Sequence, residues 1–392
     1  MTTHLANRTL IVGPATWRYG ARPSPADRFM AVQLPSGEAE VNTLLLRDAE
    51  VVHAPYTVYT VAGAVVDVGE LSEYPFIGLM PAPRAASVLW SGHGLMPLFV
   101  INHGLTHVDL LTQVRVGDQD ALFIWSARRD RGLDPTDGLV PALLPACVEA
   151  AEASRRFLNN HQFYYRTFWP GTEIEHKITL AHTVDVYALA AMFAGRVASG
   201  GVPGFLPEYG DAFQQWDFDN VVFEIPAPAE QAGYVSFIPD SADAYVMKRK
   251  WFQHDAVRRR EQKWLHVQVV GSFEDHIRGQ FGVTAAFVGA FRRTRFDVSC
   301  ESARTGNVYA IMVDRCQITD PGGPDLCQVE IEYLHSRTLR SSAAEHVDAE
   351  LAALVSYTTG QLDALGETYE CGPLSKLTYL RQLRRQSPVG GR

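Results

Sequence analysis

The sequence predicts an α+β protein of two domains, the first β-rich and the second alternating strands with helices. Three observations carry this. At 392 residues the chain exceeds what one hydrophobic core usually serves, and 46% hydrophobic residues are ample for two cores. From Thr9 to about Ala127, short β-branched and aromatic runs are separated by Gly, Pro and Asp, the punctuation of strands and turns. Beyond residue 170 the apolar period switches repeatedly between two and 3.6.

Taken in order, Thr57–Ala62, Ala86–Trp90 and Ala121–Trp125 read as strands of the first domain. A polar stretch from Arg128 to Gly138 leads into Leu139–Asn160, where Leu143, Leu144, Val148, Ala151 and Phe157 recur at helical spacing. The aromatic segment Phe163–Gly171 is expected to link the domains. A strand at Glu173–Leu180, a helix at Thr183–Ser199, and strands at Asn220–Ile225, Tyr234–Ile238, Ala244–Phe252 and Val257–Trp264 follow. A helix near Phe273–Phe281 precedes strands at Phe287–Val298, Asn307–Ile318 and Leu326–Leu334. The last long helix is expected to open at Ser342, with Glu345 completing a capping box. The basic end, Arg381–Arg392, reads as frayed. The expected domains are 1–165, 166–386 and a disordered tail at 387–392.

Composition narrows the function. A formal net charge of −9 gives no overall attraction to nucleic acid or to an acidic membrane surface, so neither is expected as a partner. Cys147, Cys300, Cys316, Cys327 and Cys371 form no CxxC pair and read as free thiols. No apolar run is long enough for a secretory signal or a membrane span, and a cytoplasmic protein is expected. The only lysines are Lys177, Lys248, Lys250, Lys263 and Lys376, against thirty arginines. That bias suits a GC-rich bacterial genome, and it makes each retained Lys informative, because a compact, rotatable point charge is a different tool from a planar guanidinium.

Glu173-Ile-Glu175-His-Lys177 places Glu173, Glu175 and Lys177 on one face of a strand and Ile174 and His176 on the other. An exposed strand could carry those charges without consequence. Inside a closed barrel, the carboxylates need a cation and the ammonium an anion, since unpaired buried charge is prohibitively costly. Random placement gives E-x-E-x-K with a chance on the order of one in a hundred in a chain of this composition.

In these residues the second half resembles the CYTH superfamily, the triphosphate tunnel metalloenzymes, whose first strand carries E-x-E-x-K. Val246-Met-Lys248-Arg-Lys250 is similar to the family's lysine strand, Arg259-Arg-Glu261 to its R-x-E strand, and Arg293-Thr-Arg295 to its paired basic strand. Val313-Asp314 is similar to the strand of the lone aspartate, and Glu330-Ile-Glu332 to the late E-x-E strand. Ser375-Lys376 with Tyr379-Leu380 resembles the closing segment. The match spans about residues 171 to 385. The resemblance implies an eight-stranded antiparallel β tunnel, open at both ends, with flanking helices. It implies Glu173, Glu175 and Lys177 as catalytic residues. Lys177, Lys248, Lys250, Arg259, Arg293, Arg295 and Lys376 would bind phosphate, and Glu173, Glu175, Asp314, Glu330 and Glu332 would bind Mg²⁺ or Mn²⁺. Glu261 would orient the phosphates or ligate a second metal.

One strand departs from the family pattern: where L-R-x-R is usual, this chain has Tyr234-Val-Ser-Phe-Ile-Pro239-Asp240, without arginine. A smaller phosphate group, or an organic part lying against Tyr234 and Phe237, would fit that loss. Trp216, Phe218, Tyr245 and Trp251 could enlarge the apolar surface, though ordinary barrel packing is the commoner role of such residues. The expected activity is metal-dependent hydrolysis of a tri- or diphosphate on a small molecule. The alternatives are pyrophosphate release, as in class IV adenylyl cyclases or on an isoprenoid-type diphosphate, and a non-catalytic organophosphate-binding module. His103 and His107 lack the Glu of H-E-x-x-H and read as structural or surface residues. Ser91-Gly-His-Gly lacks the strand-loop-helix context of a phosphate cradle. The N-terminal domain carries no motif of its own and is expected to select substrate or to dimerise.

Overall fold

The structure is a computed structural model and describes residues 5–18, 20–71, 95–117, 119–130, 140–155 and 166–386. It divides into two compact units, Met1–Arg166 with Ser302–Gly306 and Arg337–Ala343, and Thr167–Glu301 with Asn307–Ser336 and Ala344–Arg392. The expected strand at 86–90, the Ser91-Gly-His-Gly turn, the end of the 139–160 helix including Phe157, and the tail at 387–392 lie outside the described residues.

The first unit is an antiparallel sheet of eight strands: β1 (Leu5–Pro14), β2 (Arg28–Glu38), β3 (Thr43–Arg47), β4 (Pro55–Thr60), β5 (Val65–Glu70), β6 (Leu95–His103), β7 (His107–Val116) and β8 (Asp120–Asp130), in the order β3-β8-β7-β6-β1-β2-β4-β5. Central β1 is apolar on both faces because both are covered. Leu10 and Val12 enter one core with Met30, Val32, Val100 and Phe123, and Ile11 enters the other with Phe29, Leu98 and Phe99. Helix α1 (Val140–Ser154) covers the second core through Leu143, Leu144, Cys147 and Ala150. His103 ends β6 and His107 opens β7, so the histidine pair is a hairpin and no helical metal motif.

The second unit contains β9 (Thr172–Leu180), β10 (Phe205–Pro207), β11 (Phe213–Ile225), β12 (Gly233–Pro239), β13 (Tyr245–Trp251), β14 (Arg258–Val267), β15 (Ala286–Ser302), β16 (Asn307–Asp320), β17 (Leu326–Ser336) and β18 (Tyr369–Cys371). The order β15-β11-β12-β13-β14-β9-β17-β16 returns to β15 through a further β15–β16 ladder, closing an eight-stranded antiparallel barrel. Strands β10 and β18 add to the outside, on β15 and β9. The fold is the expected α+β tunnel.

Its polarity is inverted relative to an ordinary core. Ile174 and Ile178 of β9 point outward into an apolar layer with Val329 and Ile331, roofed by α2 (Val186–Ala198) and α4 (Val347–Leu365). A second outer layer joins Phe223, Val235, Phe237 and Met247 to Ile277 of α3 (Phe273–Phe281). Asp185 caps α2 by accepting from the Ala188 amide, and Ser272 caps α3 by accepting from the Asp275 amide. With the apolar side of each strand satisfied by helices, the polar side is left to line the tunnel.

The structure departs from the sequence expectations at several points. The Ser342–Glu345 capping box does not start the long helix: Ser341–His346 is a 3-10 turn that buries Ala343, and the α-helix begins at Val347. The division between the units falls within the expected linking segment, after Arg166, and Phe168 and Trp169 pack on the core of the second unit, Trp169 edge-on to Tyr333 at 5.7 Å. The segment from Arg381 to Gln386 is not frayed. It completes α5 (Lys376–Gln386), whose Leu377, Leu380 and Leu383 pack with Phe291, Cys316 and Leu326. Strand alternation puts Phe291, Cys316 and Leu326 on the same faces as Arg293, Asp314 and Glu330, so this cluster lies inside the barrel and α5 plugs one end. That end of the tunnel is therefore filled, where the resemblance implied an opening.

Candidate active site

Alternation along the barrel strands points Glu173, Glu175 and Lys177 (β9), Lys248 and Lys250 (β13), Arg259, Glu261 and Lys263 (β14), Arg293, Arg295 and Asp297 (β15), Asp314 (β16), and Glu330 and Glu332 (β17) into the tunnel. Lys376, the first residue of α5, enters from the plugged end. Every residue that the E-x-E-x-K resemblance assigned to the site is thus on the tunnel lining, and they fall into two groups.

The first group is acidic at its centre. Carboxylate oxygens of Glu173, Glu175 and Glu332 all lie within 4.8 Å of one another. Register explains it, because Glu332 pairs directly with Glu175, and Glu173 is one step of the same face away. Lys250 Nζ contacts both oxygens of Glu173, at 2.5 and 2.6 Å, and reaches Glu261 at 3.0 Å. Arg259 bridges Glu173, at 3.4 Å, and Glu175. Among the described residues Glu332 makes no ion pair. Burial, with the Glu173 charge beside it, pushes its carboxyl up to about 7.

The second group is basic and lies deeper. Lys177 donates to Glu330 at 2.7 Å and also contacts Glu175 at 3.0 Å, linking the two groups. Arg295 grips Asp314 in a fork, Nε to Oδ1 at 2.6 Å and Nη2 to Oδ2 at 3.0 Å, and also contacts Glu330. Arg293 reaches Glu330 at 2.9 Å and touches Asp314. Lys376 donates to Asp314 at 3.0 Å and to Glu330. Burial alone would raise the Glu330 carboxyl, but Lys177, Lys376, Arg295 and Arg293 override it and hold it well below the usual carboxylate range.

The five carboxylates expected to share a metal are therefore apart in role. Glu173, Glu175 and Glu332 converge, whereas Asp314 and Glu330 serve as counter-charges to four cations. Lys248 makes no ion pair among the described residues. Burial, with Lys263 opposite it in the ladder, lowers its ammonium to about 7.

Lys263 is a lining residue that motif reasoning missed; it pairs with Glu261 at 3.2 Å. The signal was present, since Arg259, Glu261 and Lys263 keep one face of β14. All five lysines of the chain thus line this tunnel.

Of the inward faces of β11 and β12, only Glu224, at the plugged end and paired with Arg381 of α5, carries a charge. Phe213 stacks outward on Phe296 at 5.9 Å, so Gln214, Trp216, Phe218 and Asn220 face inward. Farther along, Tyr234 and Ser236 of β12, the strand that lacks arginine, pair with Glu224 and Val222 of β11 and with Lys250 and Lys248 of β13. Phe237, expected there, belongs to the outer layer, and Trp251 lies on the outer side of β13 under the guanidinium of Arg249 at 4.9 Å. Tyr245 likewise packs outward, edge-on to Phe273 at 5.2 Å.

No family model matches the chain, and no curated protein matches it. Among solved structures, the S. pombe Pct1 RNA triphosphatase aligns at 14% identity over 55% of this chain and 91% of that one, with a TM-score of 0.23. The same enzyme in complex with the Spt5 CTD aligns at 12% identity over 50% and 84%, TM-score 0.24. The di-domain ARO/CYC StfQ from the steffimycin biosynthetic pathway aligns at 7% identity over 97% and 90%, TM-score 0.15. These likenesses are distant.

Among the described residues no helix is long and apolar enough to cross a membrane.

Proposed function

We propose that the tunnel is a metal-dependent phosphoanhydride hydrolase acting on a tri- or diphosphate of a small molecule. The observation that carries this is the convergence of Glu173, Glu175 and Glu332 within 4.8 Å beside a deep nest of lysine and arginine, inside a closed barrel. A pure anion binder has no use for clustered carboxylates next to its cations. The donor set is all carboxylate oxygen, which suits hard octahedral cations such as Mg²⁺ or Mn²⁺. Burial raises the Glu332 carboxyl first and the Glu173 charge adds to it; a bound cation would offset both.

Glu173, Glu175 and Glu332 would hold the metal, which when bound would neutralise phosphate charge and favour an attacking water. The chain's own residues do the rest. Lys177, Arg293, Arg295 and Lys376 hold the phosphates deep in the tunnel, exchanging their present contacts with Asp314 and Glu330 for phosphate oxygens. Lys248, which makes no ion pair among the described residues, and Lys250 hold the outer phosphate. Phosphoryl transfer asks mainly for positioning and charge stabilisation, both of which this lining supplies. With α5 filling one end, substrate and product would pass by the other.

The test is release of phosphate and pyrophosphate from tripolyphosphate, nucleoside triphosphates, thiamine triphosphate and prenyl diphosphates, with Mg²⁺, Mn²⁺ or EDTA. Metal-dependent phosphate release is expected, lowered about 100-fold or more in Glu175→Gln with ligand binding retained. Pyrophosphate as the sole product would turn the assignment to elimination, and unchanged turnover in the variant would remove the metal assignment.

A further inference from the structure

The first unit carries a cavity of its own, about 760 Å³ in volume, between α1 and the segment that follows β1. Trp17, Phe99, Leu144 and Val148 form its apolar floor, the first three of them buried in the core beneath α1. Protein interiors are close-packed, and atoms lining an unfilled apolar recess forgo dispersion contacts. The volume suits a drug-sized molecule, for which pockets run about 300–1,000 Å³. The rim is charged: Arg18, Arg22 and Arg155 stand there against Glu149 and Glu152. Both carboxylates are engaged, Glu149 by Arg129 of β8 at 3.2 Å and Glu152 by Arg155 at 3.5 Å. The Arg155 guanidinium lies over Gly20, where φ is +96° and a Cβ would sit 3.1 Å from Nη2, so the loop is shaped to pass beneath it. Arg18 Nε donates to an uncharged side chain, Gln113, at 3.4 Å. Arg22 is exposed and makes no ion pair among the described residues, which leaves the rim with an excess of positive charge.

We infer that this cavity binds a small amphipathic acid, its apolar body on the floor and its carboxylate at the arginine rim beside Arg22. An inorganic anion would leave the floor bare. A neutral hydrocarbon would make no use of the guanidinium groups, and a cationic amphiphile would be repelled by them. An acid with an apolar body answers both halves of the lining, since burial of the body supplies affinity and the rim fixes its orientation. The site is independent of the hydrolase reading above and gives the N-terminal unit a ligand of its own.

The experiment titrates the full chain with octanoate and with octanol by calorimetry, at concentrations where both are monomeric, in wild type, Ala151→Phe, Arg22→Ala and Arg22→Lys. Octanoate is expected to bind about fivefold more tightly than octanol at low salt, and the difference to shrink in about 1 M NaCl. Ala151 lines the cavity, so Ala151→Phe puts a ring into it and should weaken both ligands at least about tenfold. Arg22→Ala should weaken octanoate about three- to fivefold and leave octanol unmoved, with Arg22→Lys restoring most of the loss. Arg22 lies in an exposed loop, so its variants fold whatever becomes of Ala151→Phe. Absence of saturable octanoate binding by wild type, or binding that a folded Ala151→Phe leaves unchanged, would overturn the site. Equal affinities for octanoate and octanol, or an Arg22→Ala variant that weakens both or neither, would overturn the acidic ligand.

Discussion

At the scale of single residues, two glutamates one step apart on β17 have opposite surroundings. Glu330 is held by Lys177, Lys376, Arg293 and Arg295, and Glu332 stands beside Glu173 and Glu175 and makes no ion pair among the described residues. Removing a buried partner strands the charges it neutralised, so Glu330→Gln should lower stability by about 3–5 kcal/mol in urea denaturation. Glu332→Gln should leave the metal-free protein as stable as wild type or more so, and weaken Mn²⁺ binding at least tenfold in a calorimetric titration. Equal destabilisation by both would show that the division into a metal group and a counter-charge group is wrong. The inward face shared by Glu173, Glu175 and Lys177 was readable because strand alternation is local. The division of labour between Glu330 and Glu332 was not, because they are the two ends of one E-x-E and only their neighbours across the barrel differ.

At the scale of elements, the site depends on how closely β12 runs beside the lysine strand. Gly233 opens β12 at φ +140°, and a Cβ there would sit 2.1 Å from the Lys250 carbonyl oxygen. Gly233→Ala must push β12 off β13 at the point that aims Lys250 at Glu173. It is expected to cost at least about 2 kcal/mol in urea denaturation and to weaken tripolyphosphate binding, although residue 233 touches no ligand itself. Unaltered stability would mean that the ladder absorbs the methyl. The plugging helix is the element that sequence reading misjudged. A short run with Arg384 and Arg385 looks like a solvated end, yet Leu377, Leu380 and Leu383 recur at helical spacing and are buried. Arg381 and Arg384 are anchored by Glu224 and Asp320, so the basic character that suggested fraying is spent on the barrel wall.

At the scale of the molecule, each unit is stabilised by its own charges. In the first, Asp109 is fully buried and accepts from Trp125 at 2.9 Å and from Arg128 at 2.7 and 2.8 Å. Burial alone would raise its carboxyl, but those bonds and the charge of Arg340 bring it below the usual value. Because the folded value lies below the unfolded one, near 4, the stabilisation is full above about pH 5 and is lost as pH falls through the folded value. The stability gap between wild type and Asp109→Asn should therefore be constant from pH 7 to pH 5, on the order of 3 kcal/mol, and narrow below pH 4. A gap independent of pH would place the effect in packing instead of charge.

The sequence by itself determined the class of the fold, the period-two faces that collect acid and base on the same strands, and the retention of lysine at five positions, because propensity, alternation and composition act over a few residues at a time. Tertiary structure alone decided what those faces surround. Closure through the β15–β16 ladder turned the charged faces inward, the register of β17 against β9 brought Glu332 to Glu175 and left Glu330 among cations, and α5 filled one end. These are contacts between residues tens to hundreds of positions apart, fixed by where helices could cover the apolar side of each strand, and no local pattern carries them.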